Sequence, residues 1–396
     1  MKDIRKVLEG RKEEMTSFLR ALVRIQSPTG HEKEMALAIR DRMEKLGFDS
    51  AEIDEMGNVV GTVGEGELLF LFDCHMDTVG VADAPLWKHD PYGGETENGR
   101  LYGRGSSDMK AGIVSALYAL AALKECSLVP EGRSLILSCT VAEEDYEGVA
   151  LRYVLDSRRI RPRYVVIPEP TDDFRVASGH RGRALVEITA KGKTSHACYP
   201  EKGENAIYML TPVIERIRKR NEEYSALPGE HPSMSVTTYR TVSAGENAVP
   251  GEAVITVDRR SITGETEEYV KKEFDSLVCG LDSISWRFKD YEASSWTGME
   301  FTYHNCVLAW ELEEDNPLVQ NALSSVAFVR GNRPPLFHFS GSTNAVTSAG
   351  LYGIDTVIIG PGRLSVAHSR DEYCPVKDLL DASLIYAEMV MKAKTD

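Results

Sequence analysis

The 396-residue sequence lacks several features that define particular classes of protein. Its longest uncharged apolar run, residues 111–123, is shorter than the roughly 20 residues that a membrane span requires. It lacks a basic excess, because 46 Lys and Arg face 61 Asp and Glu, and the formal net charge of −15 disfavours nucleic acids and anionic membranes. The first fifteen residues alternate charges and lack the apolar segment of a secretory signal. We therefore expect a soluble, cytoplasmic protein.

Cysteine is also scarce, with seven residues and no Cys-x-x-Cys spacing. The odd, scattered set excludes a disulfide framework and gives no sign of a thiolate metal site, so we expect mostly buried thiols. Hydrophobic residues make up 42% and charged residues 27%, which is typical of a globular chain with a substantial core. The length predicts two to three domains.

Strand-like and helical segments alternate in both end regions of the chain. Apolar strands are predicted at 68–72, 135–141, 164–167 and 355–359, and helices at 113–123 and 379–392. This alternation predicts an α/β domain with a mostly parallel sheet and helices on both faces. Residues 1–182 and 297–396 are expected to form this one discontinuous catalytic domain.

The pattern changes between residues 183 and 296. Strands are predicted at 184–190, 234–241, 253–258 and 284–288, with helices at 205–222 and 266–277. The order β-α-β-β-α-β predicts an inserted ferredoxin-like α+β domain. Such a sheet leaves edges that need protection, and pairing with a second copy is one means, so we expect a homodimer through this insert.

Histidines and carboxylates follow the predicted strands of the α/β domain. They are His75 and Asp77, Glu143 and Glu144, Glu169, and His368, with Asp108 in a glycine-rich segment before a helix. Taken singly, a core histidine, a helix cap or a solvated acidic pair explains each of them as well. Their convergence at the carboxyl ends of parallel strands favours one site, because ligands bind at that edge of an open α/β sheet.

Two histidines and three carboxylates, with no suitable thiolate, suit Zn²⁺, Co²⁺ or Mn²⁺. One carboxylate that bridges two ions, each with one further histidine and carboxylate, is the pattern of two-metal hydrolases. One member of the Glu143–Glu144 pair is then left over and is able to act as general base.

The motifs FDCHMDTVG, LYGRGSSDMKAG, AEED, PEPT and AHSRDEY resemble, in this order, those of a family of di-zinc metallopeptidases and amidohydrolases. The family includes acetylornithine deacetylase, succinyl-diaminopimelate desuccinylase, aminoacylase and carboxypeptidase G. The segments IDEMGNVVG, GHRGR, DRRSITGET, SSWTG and GPGRLSVAH are similar to its uncharacterised branch labelled as a selenium-metabolism hydrolase. The resemblance covers nearly the whole chain.

The resemblance implies a role for each motif residue. His75, Asp108 and Glu169 would bind one metal ion, and Asp108, Glu144 and His368 the other. Asp77 would orient His75, and Glu143 would act as general base. In the insert, His196, Asn247 and Arg260 would contact substrate, although Arg259 adjoins Arg260 and either could face the site. Gly341 to Asn344 match the glycine-rich substrate loop, where many members have Asp in place of Asn344.

We therefore expect a di-zinc hydrolase that cleaves a C–N amide bond in a small, carboxylate-bearing molecule. An N-acyl amino acid deacylase, a dipeptidase or carboxypeptidase, and an N-carbamoyl amino acid hydrolase all fit the sequence. A non-catalytic, ligand-binding relative is the alternative of a different class. The spare carboxylate of Glu143 argues against it, because a binding protein has no need of a general base.

Overall fold

The structure is a computed structural model, which describes residues 2–393. Across this range the chain forms helices of very different lengths. They are α1 (Lys2–Gly10), α2 (Lys12–Arg24), α3 (Lys33–Lys45), α4 (Ala111–Glu125), α5 (Glu143–Tyr146), α6 (Val149–Ser157), α7 (Ala206–Ser225), α8 (Glu267–Val278), α9 (Pro317–Arg330) and α10 (Val376–Lys392). None of the described helices is long and apolar enough to cross a membrane.

The strands of the same range vary from two to ten residues. They are β1 (Ser50–Ile53), β2 (Val59–Gly64), β3 (Glu67–His75), β4 (Thr96–Glu97), β5 (Arg100–Tyr102), β6 (Arg133–Thr140), β7 (Tyr164–Ile167), β8 (Val176–His180), β9 (Gly182–Lys191), β10 (Ser195–His196), β11 (Ser233–Val242), β12 (Ala248–Val249), β13 (Glu252–Ser261), β14 (Ile284–Phe288), β15 (Tyr291–Ser294), β16 (Glu300–Tyr303), β17 (Cys306–Val307), β18 (Trp310–Glu311), β19 (Leu336–Phe339), β20 (Asp355–Ile358) and β21 (Tyr373–Pro375).

The chain divides into two compact units. The first contains the residues up to Gly179, Ala293–Phe301 and the residues from Glu311 onward, and the second contains His180–Glu292 and Thr302–Trp310. Residues 302–310, which we expected in the end-region domain, lie in the second unit because β17 pairs with β9 there, with Cys306 opposite Ala184. The assignment of catalytic and lid roles to such parts stays a prediction.

The first unit is built on a large mixed sheet with the order β1-β2-β6-β3-β7-β20-β8-β18, and β19 pairs with β8. The four strands β6, β3, β7 and β20 are parallel, whereas β1 and β2 on one side and β8 on the other are antiparallel additions. The predicted α/β class with a mostly parallel central sheet is confirmed.

The parallel strands are buried on both faces, which explains their uninterrupted apolar sequences. Residues 69–75 of β3 and all of β7 are buried, and α4 is buried from Ala111 to Leu123. Because hydrogen bonds along the ladder require no apolar side chain, β3 extends beyond both ends of its predicted apolar run, and β6 begins two residues before its own. In-register pairing places His75 at the end of β3 opposite Thr140 at the end of β6.

The second unit contains an antiparallel sheet with the order β11-β13-β9-β14. Its helices begin where the sequence provides capping side chains, since Asn205 caps α7 and Thr266 caps α8. Strand residues such as Ile188 and Ile255 and helix residues such as Phe274 form a separate apolar core. The strand β11 lies at an edge of this sheet, and most of its side chains are exposed.

The expectation of mostly buried thiols is wrong for more than half of the cysteines. Cys74, Cys139 and Cys374 are buried, Cys126 and Cys306 are partly buried, and Cys198 and Cys279 are exposed. The buried ones lie in strands of the first unit, in which most side chains are buried. The pattern of apolar residues in the sequence does not show whether a cysteine lies in a buried strand or at a surface turn.

Candidate metal centre

Four parallel strands of the first unit deliver the predicted ligands to one edge of the sheet. β3 ends at His75, β6 is followed by Glu143 and Glu144 in α5, β7 is followed by Glu169, and the chain after β20 reaches His368. Because these strands are parallel and in register, the segments that follow them meet at their carboxyl ends. The structure thus brings together the residues that the motifs predict.

His75 lies at the centre of the buried half of this cluster. Its Nδ1 lies 2.9 Å from the main-chain oxygen of Asp77, and its Nε2 points to carboxylates. Nε2 lies 3.0 Å from Oδ1 of Asp108, 3.4 Å from Oε1 of Glu169 and 3.9 Å from Oε2 of Glu143. With Nδ1 engaged by a carbonyl oxygen, Nε2 is the nitrogen available to a ligand.

His368 lies in a second, more open half. Its Nε2 is 3.1 Å from Oδ2 of Asp108 and 3.0 Å from Oε2 of Glu144. The side chain is 52% exposed, against 1% for that of His75, and the residue has a φ of +58° in the loop after β20. The two carboxylate oxygens of Asp108 therefore face two different histidines.

Asp108 lies in the irregular turn 106–110 that leads into α4, and it does not cap that helix. Its peptide bond to Met109 is cis. The main-chain N–H groups of Ser107 and Asp108 donate to Oε1 of Glu372 at 2.9 and 3.1 Å, and Arg104 pairs with the other carboxylate oxygen at 2.6 Å. The buried Glu372 carboxylate thus fixes the main chain at Ser107 and Asp108.

Asp77 contacts the second ring nitrogen of His75, Nδ1, mainly through its main chain. Its nearer carboxylate oxygen is 3.5 Å from Nδ1, which is long for a hydrogen bond, and its carbonyl oxygen makes the 2.9 Å contact instead. The carboxylate accepts hydrogen bonds from the main-chain N–H groups of Glu143 and Glu144 at 3.0 and 3.1 Å, and from Thr29 at 2.8 Å. One residue therefore links the position of His75 to that of both glutamates.

Burial of several acids together strongly perturbs their pKa values. Burial raises the pKa of Glu143 well above its usual range, and burial with Asp108 nearby raises the pKa of Glu169 to about 7. Burial opposes ionisation of Asp108 as well, but hydrogen bonds from His368 and His75 lower its pKa. Hydrogen bonds to Asp108 and Glu144 raise the pKa of His368 to about 10. The cluster is rich in negative charge and strongly favours a cation.

Sequence reasoning did not identify Glu32 as part of this region. It is fully buried and accepts a hydrogen bond at 3.0 Å from the main-chain N–H of Ala142, which has a φ of +60° directly before Glu143. Its Oε2 has no hydrogen-bond partner among the described residues. A glutamate that follows a turn-like Ser-Pro-Thr-Gly segment looks like an ordinary surface residue, so only its burial reveals it.

The side chain of Asn344 is buried, and its amide group is hydrogen-bonded within the first unit. Its Nδ2 donates to Asp73 at 2.8 Å and to Thr140 at 3.0 Å, and its Oδ1 accepts from the main-chain N–H of Gly148 at 2.7 Å. These buried bonds tie the loop to strands β3 and β6, so we interpret Asn344 as a positioning residue. Gly341 is partly buried, and a Cβ there would meet only the Phe339 ring, at 3.5 Å.

The remaining predicted contacts lie in the second unit. His196 in β10 pairs with Ala248 in β12, and Ala197 donates to the main-chain oxygen of Asn247 at 2.8 Å, so His196 and Asn247 are neighbours and both are exposed. Arg260 lies on β13, partly exposed, with its Nε 2.8 Å from Asp258. Arg259 is fully buried between Glu265 and Glu273, so of the two arginines only Arg260 is accessible.

Known proteins are similar to this chain over most of its length. Residues 71–392 match Peptidase family M20/M25/M40. The chain belongs to this family. It is 34% identical to the uncharacterized protein YgeY of Escherichia coli K12, over 94% of this chain and 93% of that protein. It is 25% identical to a probable succinyl-diaminopimelate desuccinylase of Staphylococcus epidermidis, over 90% and 92% of the two chains.

Solved structures share the fold. An M20 family metallo-carboxypeptidase, Sso-CP2 of Sulfolobus solfataricus, superposes with a TM-score of 0.74 at 18% identity, covering 96% of this chain and 98% of that one. The YXEP protein of Bacillus subtilis, described as a dinuclear metal-binding peptidase of this family, gives 0.68 at 14% identity, covering 97% and 98%. Family membership indicates a metal-dependent hydrolase of amide bonds. The resemblance to the selenium-metabolism branch stays a prediction.

Proposed function

We propose that this protein is a two-metal hydrolase that cleaves a C–N amide bond in a small substrate bearing a carboxylate. The observation that carries the proposal is the position of Asp108, with Oδ1 3.0 Å from His75 and Oδ2 3.1 Å from His368. A carboxylate that faces two histidines with opposite oxygens is suited to bridge two cations.

The residues fit a pair of divalent ions. His75, Asp108 and Glu169 would hold one, and His368, Asp108 and Glu144 the other. Ion pairs of these carboxylates within the described residues reach only the two histidines, so no lysine or arginine balances their charge. Imidazole and carboxylate donors without a thiol suit Zn²⁺, with Co²⁺ and Mn²⁺ as substitutes. The bound ions would lower the pKa of the attacking water and polarise the scissile carbonyl.

Glu143 is the proposed general base. Its Oε2 lies 3.9 Å from His75 Nε2, and Asp77 holds its main-chain N–H at 3.0 Å. It would accept a proton from water as the oxygen attacks the carbonyl carbon, and donate that proton to the leaving nitrogen as the C–N bond breaks. Because burial raises its pKa, the carboxyl group holds a proton more readily between the two steps. Asp77 is a positioning residue for both His75 and this base.

The second unit supplies the proposed substrate contacts. His196 would steady the developing oxyanion, and Asn247 and Arg260 would bind the substrate's carboxylate or amide. The exposure of all three side chains supports this role. An N-acyl amino acid, a dipeptide and an N-carbamoyl amino acid each present an amide beside a carboxylate, and the relatives' names include deacylases and peptidases.

We also propose a homodimer formed through the second unit. Its edge strand β11 carries Tyr239 and Val242 at 43% and 63% exposure, and Tyr208 on α7 is 74% exposed. An exposed strand edge with apolar side chains is a template for pairing with another copy. In such a dimer His196 would act in the partner's site.

A substrate panel tests the reaction. Protein loaded with Zn²⁺, Co²⁺ or Mn²⁺ is assayed on N-acetyl and N-succinyl amino acids, dipeptides and N-carbamoyl amino acids, with Glu143→Gln as the inactive control. We expect release of amine from at least one class, lost on chelation and restored by metal. Binding of these compounds without turnover in wild type would instead identify a non-catalytic relative.

Subunit mixing tests the role of His196. His196→Ala and Glu143→Ala should each be nearly inactive, and their mixture should regain up to about a quarter of wild-type activity, because half of randomly paired dimers have one intact site of two. No recovery after verified subunit exchange would show that His196 does not act across a dimer.

A further inference from the structure

A second group of metal-binding side chains lies in the second unit, outside the residues of the proposed hydrolase site. Glu267 begins α8, and His304 and Cys306 flank Asn305 at the start of β17. One ligand atom from each of these three residues lies within 4.8 Å of the other two. The sequence conceals the group, because Glu267 is 37 positions from His304 and the His-x-Cys spacing alone indicates nothing.

The His304 ring is oriented as in many metal sites. Its Nδ1 lies 3.0 Å from Oδ1 of Asp290, which also accepts from the main-chain N–H of Asn305 at 3.0 Å. The Phe288 ring packs edge-on against it, with centroids 4.9 Å apart. A carboxylate on one imidazole nitrogen fixes the tautomer and leaves the other nitrogen to a metal. Here that other nitrogen is Nε2, which faces Glu267.

The distance between His304 and Glu267 matches the separation of two ligands in a coordination sphere. Nε2 of His304 is 3.5 Å from Oε2 of Glu267. Ligands about 2.0–2.3 Å from a tetrahedral Zn²⁺ are separated from each other by roughly 3.3–3.6 Å. Lys271 pairs with the other oxygen of Glu267 at 2.6 Å, so Oε2 remains turned toward the histidine. Partial exposure of Glu267 and His304 leaves an entry path for an ion.

Charge around the Cys306 thiol favours a cation as well. Arg259 is already paired with Glu265 and Glu273, and Asp290 adds negative charge. A divalent ion would offset the acidic neighbours and displace the thiol proton.

We propose that Glu267, His304 and Cys306 bind a thiophilic divalent metal ion such as Zn²⁺, with a water as fourth ligand and Asp290 behind the histidine. Mixed S, N and O donors select such ions over Mg²⁺ and Ca²⁺, which take oxygen ligands. The site stabilises the second unit by joining α8 to the segment before β17. It is independent of the proposed hydrolase activity.

Cobalt spectroscopy tests the site on the full chain. Metal-free protein is titrated with Co²⁺ and followed for the near-ultraviolet charge-transfer band of a thiolate bound to cobalt. The proposed hydrolase ligands include no thiol, so this band reports a site outside the proposed hydrolase centre and its fate is separable from that of hydrolase activity. We expect one equivalent of Co²⁺ to saturate the band and three equivalents in total to bind per chain.

Matched variants identify the ligands. Cys306→Ser should lose the band and one equivalent of metal, whereas Cys279→Ser, which removes an exposed thiol, should retain both. Asp290→Asn should keep the band at saturation but weaken cobalt binding there about 10–100-fold. If Cys306→Ser does not fold, as judged by circular dichroism, His304→Asn provides the same test. A wild-type protein without the band, or a band that survives in Cys306→Ser or folded His304→Asn, would overturn the proposal.

Discussion

The two halves of the candidate metal centre share Asp108 but differ in almost everything else. His75 stands at the end of a buried strand, with one ring nitrogen held at 2.9 Å by a carbonyl oxygen. His368 stands in a loop with a positive φ, and half of its side chain is exposed. Ligands fixed by their surroundings lose less freedom on binding, so we expect the His75 half to hold its ion more tightly.

The largest effect should come from removing the Asp108 carboxylate, which the two halves share. Asp108→Ala should abolish binding of both ions and reduce activity by at least the roughly 10²–10⁴-fold typical of losing a general base. Metal analysis after dialysis checks this prediction. The control is Asp145→Asn, a change at the exposed residue that follows Glu144. Full retention of one ion by Asp108→Ala would show that the halves are independent, and the shared-ligand interpretation would be wrong.

The next effect distinguishes the roles of the adjacent residues Glu143 and Glu144. Glu143 faces His75 at 3.9 Å, and Glu144 faces His368 at 3.0 Å. Glu143→Gln should lower kcat about 10²–10⁴-fold with both ions retained, whereas Glu144→Gln should lose the ion of the His368 half. The measurements are kcat and metal content of the same preparations. The reverse pattern would mean that Glu144 is the base.

A smaller effect tests whether the His75 half holds its ion more tightly than the His368 half. Under slow chelation the two ions should leave in two phases, and His368→Ala should remove the fast phase while the slow one persists. We expect the phases to differ about 10–100-fold, the range found when supporting contacts of a metal ligand are lost. Time-resolved transfer of metal to a coloured chelator measures both rates. A single phase for wild type would show that burial and the Asp77 contact do not distinguish the halves.

The smallest effect concerns Glu32, behind the His75 half. Burial and the nearby Asp77 raise its pKa to about 7 from 4.5, so the folded protein holds a proton between these pH values that the unfolded chain releases. This contribution to stability is present at low pH and is lost as the pH rises through 7. Relative to wild type, Glu32→Gln should lose less stability between pH 5 and 8, by up to about 1.4 kcal/mol per pH unit.

Denaturant unfolding of the metal-loaded proteins at several pH values measures this difference. Glu34→Gln, an exposed change two residues away, is the matched control and should follow the wild-type profile. Parallel profiles for wild type and Glu32→Gln would show that Glu32 is already ionised in the folded state.

Some element limits were predictable to the residue. β7 and β14 have their predicted limits, and the predicted first residues of the two helices in the second unit, Asn205 and Thr266, are the residues that cap them. The predicted ligands cluster because a parallel sheet has one carboxyl edge, a property that an alternating pattern of strands and helices already implies. Contacts made by the main chain or between distant segments, such as those of the Asp77 carbonyl and of Asn344, follow from no sequence pattern.

The sequence by itself determined the family, the α/β framework and the set of candidate ligands, since these depend on residue types, their order and short-range periodicity. Tertiary structure decided how the residues divide into a buried and an open half, that Glu32 and Glu372 support the ligands' backbone, and that Arg259 is buried while Arg260 is accessible. It also brought Glu267 beside His304 and Cys306. These outcomes depend on which distant segments pack together and on which groups lose water there, and no local pattern records either.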